Sequence, residues 1–273
     1  MIAISNKWPI LQYDVKNAFV HADIDQEIYV QLPTGFYNNN NKVCRLRKAL
    51  YGLKQAPRLW YKHLSKILNK LGFVVFNYDE GAFINPTIQC IILCHVDDII
   101  ISGPEADNII AQINKAKDDI KLQALGEINT FLGINISIDY KNNKLHIHQN
   151  NYTRSILEKY NKNNLYPKNN PLTANKLQGN NQKALQEEIT IYQQYIGSLL
   201  YLALKTRPDI ALTVQYCARY CSNPGILHFQ AVDNIFGYLN KYPNLRITYI
   251  RVNNHNLIIK AYSDSDWGNC LDS

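Results

Sequence analysis

Cys90-Ile91-Ile92-Leu93-Cys94-His95-Val96-Asp97-Asp98-Ile99-Ile100-Ile101-Ser102 decides the reading of this 273-residue chain. Two apolar runs, 90–94 and 99–102, suit buried strands, and the residues between them put a pair of aspartates at the bend of a hairpin that Gly103-Pro104 closes. Two like charges roughly 4 Å apart repel by about 4 kcal/mol at an effective dielectric near 20, so both stay ionised only beside a cation. The plain alternative is a hairpin turn, since Asp is a favoured turn residue.

Outward from this hairpin, residues 10–15 form a short apolar run carrying Asp14 and are expected as a strand. Pairing of that strand with the hairpin would bring Asp14 to Asp97 and Asp98. Such a cluster suits Mg²⁺, which takes oxygen ligands, few of them from protein. Residues 27–32 are a second extended candidate. Pro57 fits the first turn of a helix and Gly72 its stop, with Trp60, Leu64, Ile67, Leu68 and Leu71 on one face. A second helix is expected over 105–121, then strands at 130–139 and 144–148, which gives an α+β domain. Residues 161–182, polar and with Pro167 and Pro171, suggest a linker. Helices follow at 187–205, 208–221 and 227–241, and a hairpin at 246–252 and 257–262.

The composition, 46% hydrophobic and 19% charged, is that of a globular protein and excludes disorder as the default. A net charge of +7 favours a polyanionic partner. The window 42–70 holds nine basic residues and no Asp or Glu, and Arg58, Lys62, Lys66 and Lys70 recur every fourth position along the first helix. A solvated helix face usually mixes both signs, so phosphates nearby explain this stripe better than plain solvent exposure does. The six cysteines lack zinc-site spacing and are expected as reduced thiols. His146 and His148 are expected as ordinary surface or core histidines. With neither a signal peptide nor a membrane-spanning run in evidence, an intracellular protein is expected, in the cytoplasm, a virus-like particle or the nucleus.

Several blocks, in order, carry a resemblance. Leu11-Gln12-Tyr13-Asp14-Val15-Lys16-Asn17-Ala18-Phe19-Val20 with Pro33-Thr34-Gly35-Phe36 resembles the first catalytic motif of copia-type reverse transcriptases. Ala49-Leu50-Tyr51-Gly52-Leu53-Lys54-Gln55-Ala56-Pro57-Arg58, Val96-Asp97-Asp98 and Phe131-Leu132-Gly133-Ile134 are similar to the blocks that follow it in that family. So are Tyr195-Ile196-Gly197-Ser198-Leu199-Leu200-Tyr201-Leu202 and Thr206-Arg207-Pro208-Asp209. His95 departs from the family's usual tyrosine.

The resemblance implies a right-hand polymerase palm with partial fingers over 1–150. Thumb and connection helices over 151–245 follow, and then the start of a ribonuclease H-like domain over 246–273, with Asp264 at its first metal carboxylate. It implies two Mg²⁺ ions (Mn²⁺ as a substitute) on the catalytic and metal-binding residues Asp14, Asp97 and Asp98. Phe19 and Gln55 would face the nucleotide. Lys54, Arg58, Lys62, Lys66, Phe131 and Gly133 would contact nucleic acid. The partners implied are a primed RNA or DNA template and deoxynucleoside triphosphates, and no membrane. Thirteen residues precede Asp14 and nine follow Asp264, so a fragment without its upstream triphosphate grip and without ribonuclease activity is expected. The rival expectation is a non-catalytic nucleic-acid-binding remnant of a decayed element.

Overall fold

A computed structural model describes residues 1–32, 35, 43–115, 120–172, 177–251 and 261–263. The chain divides after Ile128 into two compact units of mixed α and β structure with antiparallel sheets. The composition change near Asn150 therefore lies inside the second unit.

The first unit runs through α1 (Ile2–Asn6), β1 (Ile10–Val15), a 3-10 turn (Ala18–His21), β2 (Tyr29–Gln31), β3 (Val43–Arg45) and α2 (Ala56–Lys70). It continues through β4 (Val74–Phe76), β5 (Asp79–Asn85), β6 (Cys90–His95), β7 (Asp98–Ser102), α3 (Ala106–Lys115) and β8 (Leu122–Glu127). Six strands form one sheet in the order β4-β5-β6-β7-β1-β8, while β2 and β3 pair separately. Alternation along β1 and β7 turns Tyr13, Val15, Ile99 and Ile101 to one face, where they pack with Leu59, Trp60, Leu64, Ile67 and Leu68 of α2 and Ile109, Ile110 and Ile113 of α3. Pro57 sits in the first turn of α2, where its missing N–H costs nothing. The apolar face read from the sequence is the one that is buried, apart from Leu71, which is half-buried at the cap.

The strand β8 and the hairpin β4–β5 were not expected. All but Leu122 in β8 are exposed, so the strand has no apolar signature and is fixed by its ladder to β1, with a register shift between Gln12 and Tyr13. The second helix spans Ala106–Lys115, and residues 116–119 of the expected range lie outside those described.

The second unit holds β9 (Thr130–Phe131), β10 (Ile134–Asp139), β11 (Lys144–His148), α4 (Asn150–Lys159), α5 (Gln186–Lys205), α6 (Ala211–Ala218), α7 (Ile226–Lys241) and β12 (Ile247–Ile250). Its helical core is built from Tyr192, Ile196, Leu199, Val214, Val232, Ile235 and Phe236. The stretch expected as a linker is laid along this bundle: the Asn234 amide donates to the carbonyls of Asn170, Pro171 and Leu172, and that of Asn240 to Lys162 and Leu165. Rather than opening a new sheet, β12 adds to the edge of β11 in the order β12-β11-β10-β9. The second strand expected after it, over 257–262, falls mostly on undescribed residues, and Asp264 lies outside them.

Candidate active site

The site grows from one turn. The β6–β7 ladder pairs His95 with Asp98, which leaves Val96-Asp97 as a two-residue connection. Val96 has φ 58°, a left-handed conformation that β-branched residues avoid and that costs on the order of 1–3 kcal/mol. Both turn carbonyls are held from outside. That of Val96 accepts the Trp60 indole N–H at 2.6 Å, and that of Asp97 accepts the Val15 amide at 2.9 Å. The β1–β7 register sets Asp14 directly across from Asp98, where opposed Cα atoms lie about 4.5–5.5 Å apart. Strand pairing thus gathers Asp14, Asp97 and Asp98 at one end of the sheet. Asp14 and Asp98 are one residue out of phase with the core positions, so they rise from the face that α2 and α3 leave uncovered. All three carboxylates are half-buried.

Two aromatic rings border this cluster. Phe19, in the 3-10 turn after β1, is 7% exposed, whereas Tyr51 is 49% exposed and lays its ring on Phe19 with centroids 4.5 Å apart. The Tyr51 hydroxyl is pushed above the usual phenol range, first by burial and then by the Asp97 charge, with Asp14 adding to it and the Ala18 amide opposing. Gln55 is half-buried at the N-terminus of α2 and makes no side-chain cap there; Lys54 beside it is exposed.

The basic stripe is more divided than its sequence suggests. Arg58 pairs with Asp25, Lys48 with Asp23 at 2.8 Å, and Arg45 with Glu27 at 3.3 Å. These acids precede the basic window and return to it through the β2–β3 pairing and a bridge between Asp23 and Lys48. The hydrogen bond to Arg58 holds the Asp25 carboxyl below its usual range, and Lys48 does the same for Asp23. Lys62 and Lys66 are exposed along α2, beside a shallow groove with Tyr61, Ser65 and Asn69, on the helix-covered side of the sheet. Phe131 and Gly133 belong to the second unit, flanking and forming the β9–β10 turn.

Among the described residues no ion pair engages Asp14, Asp97 or Asp98, and no three His, Cys, Asp or Glu side chains form a closed metal cage. An all-oxygen set of a few carboxylates fits the demands of Mg²⁺, which keeps waters and binds substrate phosphates rather than occupying an all-protein cage. Cys217 and Cys90 are buried thiols raised to about 11 by desolvation, and His146 is a buried residue bonded to Thr248. Sequence reasoning placed Trp60 in the core and left Tyr51 without a role. A buried Trp whose N–H needs an acceptor was the available signal for the first; for the second there was none.

A reverse transcriptase (RNA-dependent DNA polymerase) family model matches residues 1–174. The Retrovirus-related Pol polyprotein from transposon RE1 of Arabidopsis thaliana is 34% identical over 97% of this chain and 18% of its own length. That from transposon TNT 1-94 of Nicotiana tabacum is 31% identical over 100% of the chain and 21% of its own length. A putative transposon Ty5-1 protein of Saccharomyces cerevisiae is 28% identical over 93% of the chain and 83% of its own length. The chain belongs to the reverse transcriptase family of copia-type retrotransposons, and it spans about a fifth of the length of the Arabidopsis and Nicotiana polyproteins. Among the described residues no helix is long and apolar enough to cross a membrane.

Proposed function

We propose that the chain extends a primer on a template by phosphoryl transfer, with the first unit as a polymerase palm carrying partial fingers and the helices of the second as thumb and connection. The observation that carries this reading is the register that sets Asp14 opposite Asp98 and beside Asp97. In the reaction the primer 3′-oxygen bonds to the α-phosphorus of a deoxynucleoside triphosphate, the bond to the β-phosphate oxygen breaks, pyrophosphate leaves, and the hydroxyl proton passes to solvent. Asp14 and Asp97 would hold two Mg²⁺ ions, with Asp98 adding negative charge; bound there, the ions offset charge on the attacking and leaving oxygens. Phe19 and Gln55 border the nucleotide, and Lys54 and Arg58 lie towards the template. Lys62 and Lys66 offer phosphate contacts away from the reaction centre, and the turn after Phe131 supports the primer.

Primer extension on an RNA template tests this: it should require Mg²⁺ and vanish in Asp97→Asn. Salt-sensitive binding of primer-template without extension, unaltered by Asp97→Asn, would favour a non-catalytic binding remnant instead.

A further inference from the structure

Resting on the polymerase reading, we propose that Tyr51 is the ring that meets the sugar of the incoming nucleotide, and that Phe19 beneath it is its support. Phe19 is 7% exposed and packs in a core that includes Ala18, Ala22, Ala49 and Ala56, so it has almost no surface left to block a 2′-hydroxyl. Tyr51 covers it and is 49% exposed. Its position is fixed at several points. The Ala49 amide donates to the Ala22 carbonyl at 2.9 Å, tying this segment to the 3-10 turn, and the Leu53 amide donates to the Leu50 carbonyl to form a tight turn around Gly52, which has φ 96°. The hydroxyl is directed at Asp97 and the Ala18 amide. One face of the ring therefore lies on Phe19, its polar edge is anchored at the carboxylates, and its remaining surface borders the same end of the sheet.

An aromatic surface accommodates the C2′ methylene of a deoxyribose, whereas a 2′-hydroxyl pressed against it loses water and gains no acceptor. One such mismatch in a pocket is worth about 10- to 100-fold in relative kcat/KM.

The experiment compares single-nucleotide incorporation of deoxy- and ribonucleotides on primed RNA by the full chain and by Tyr51→Ala, Tyr51→Phe and Phe19→Leu. A turnover-independent measurement accompanies it: equilibrium binding of α,β-imido deoxy- and ribonucleoside triphosphates to the chain on primer-template with Mg²⁺. Tyr51→Ala should lower the deoxy-to-ribo ratio about tenfold or more in both measurements. Tyr51→Phe, which keeps the ring, should hold the ratio, and Phe19→Leu should shift it less than Tyr51→Ala does. An unchanged ratio in Tyr51→Ala, or a larger shift in Phe19→Leu, overturns the proposal and leaves the polymerase reading standing. An unaltered chain that neither incorporates nor binds either nucleotide overturns both.

Discussion

The two hairpin turns, Val96-Asp97 in the first unit and Leu132-Gly133 in the second, solve one geometric problem with opposite residues. Each is a two-residue connection, and each contains a non-glycine residue at positive φ, 58° for Val96 and 50° for Leu132. Each also has both carbonyls tied down. Trp60 and Val15 hold the first turn, whereas the Tyr201 hydroxyl donates to Leu132 at 3.1 Å and the Gln149 amide to Gly133 at 3.3 Å. The second turn has glycine at φ 76°, which suits such a position, and lets a tyrosine hydroxyl approach its Cα closely. The first has valine and aspartate. A turn that must present a carboxylate gives up the residues that would relax it, and its conformation then depends on the groups that hold it.

Removing those groups is the most direct way to break the comparison. Trp60 is 2% exposed, so Trp60→Ala should destabilise the first unit by about 3–5 kcal/mol, seen as a lower denaturant midpoint. Trp60→Phe keeps most of the ring and isolates the N–H bond to Val96. It should cost about 1 kcal/mol of stability but lower kcat well below what that loss explains, because the Asp97 turn is released. Equal kcat in Trp60→Phe and the unaltered chain would show that Val96 keeps its conformation unaided.

In the second turn a Cβ on Gly133 would sit 2.4 Å from the Tyr201 hydroxyl oxygen and add strain at φ 76°. Gly133→Ala should cost about 1–2 kcal/mol, and adding Tyr201→Phe should recover part of it in a double-mutant cycle. Strictly additive effects would mean that the hydroxyl and the glycine are not coupled. Farther out, the Thr206 hydroxyl donates to the Gln149 side-chain oxygen, both residues being buried. Thr206→Val leaves that oxygen unpaired and should cost about 1 kcal/mol in thermal stability.

What was legible in the sequence follows from where the information resides. Residues 10–15, the two runs around Asp97-Asp98 and the helix ending before Gly72 announce themselves through local apolar pattern, and all three became elements at or near the expected bounds. The carboxylates were legible for the same reason, since Asp14 lies in one apolar run and Asp98 begins another. The strand β8 was not, because its residues are mostly exposed and only its ladder to β1 defines it. The single-sign basic stripe misled because Asp23, Asp25 and Glu27 reach it through folding rather than through neighbouring sequence. Tyr51 was silent for a related reason: its meaning lies in a ring contact between two segments that no periodicity connects.

The sheet behind the second turn also gives it a pH dependence for which no described group of the first turn has a counterpart. His146 and His148 on β11 both have pKa values lowered in the fold, each chiefly by burial and further by the charge of Arg246, although Asp139 pulls His146 the other way. Lys144 and each other's charge also bear on the pair, in the same direction as Arg246, for His146. A histidine whose folded pKa lies below its unfolded value is bound by more protons in the unfolded chain, so its contribution to stability is complete above the unfolded pKa and is lost as pH falls through the folded one. Thermal stability of this sheet should therefore decline as pH drops from 7 to below the ordinary histidine pKa of about 6.5. Replacing both residues with Gln should flatten that decline between the two pH values, while the Trp60 variants should leave its slope unchanged. A slope that persists in the double Gln variant would assign the acid sensitivity to carboxylates and remove this distinction between the turns.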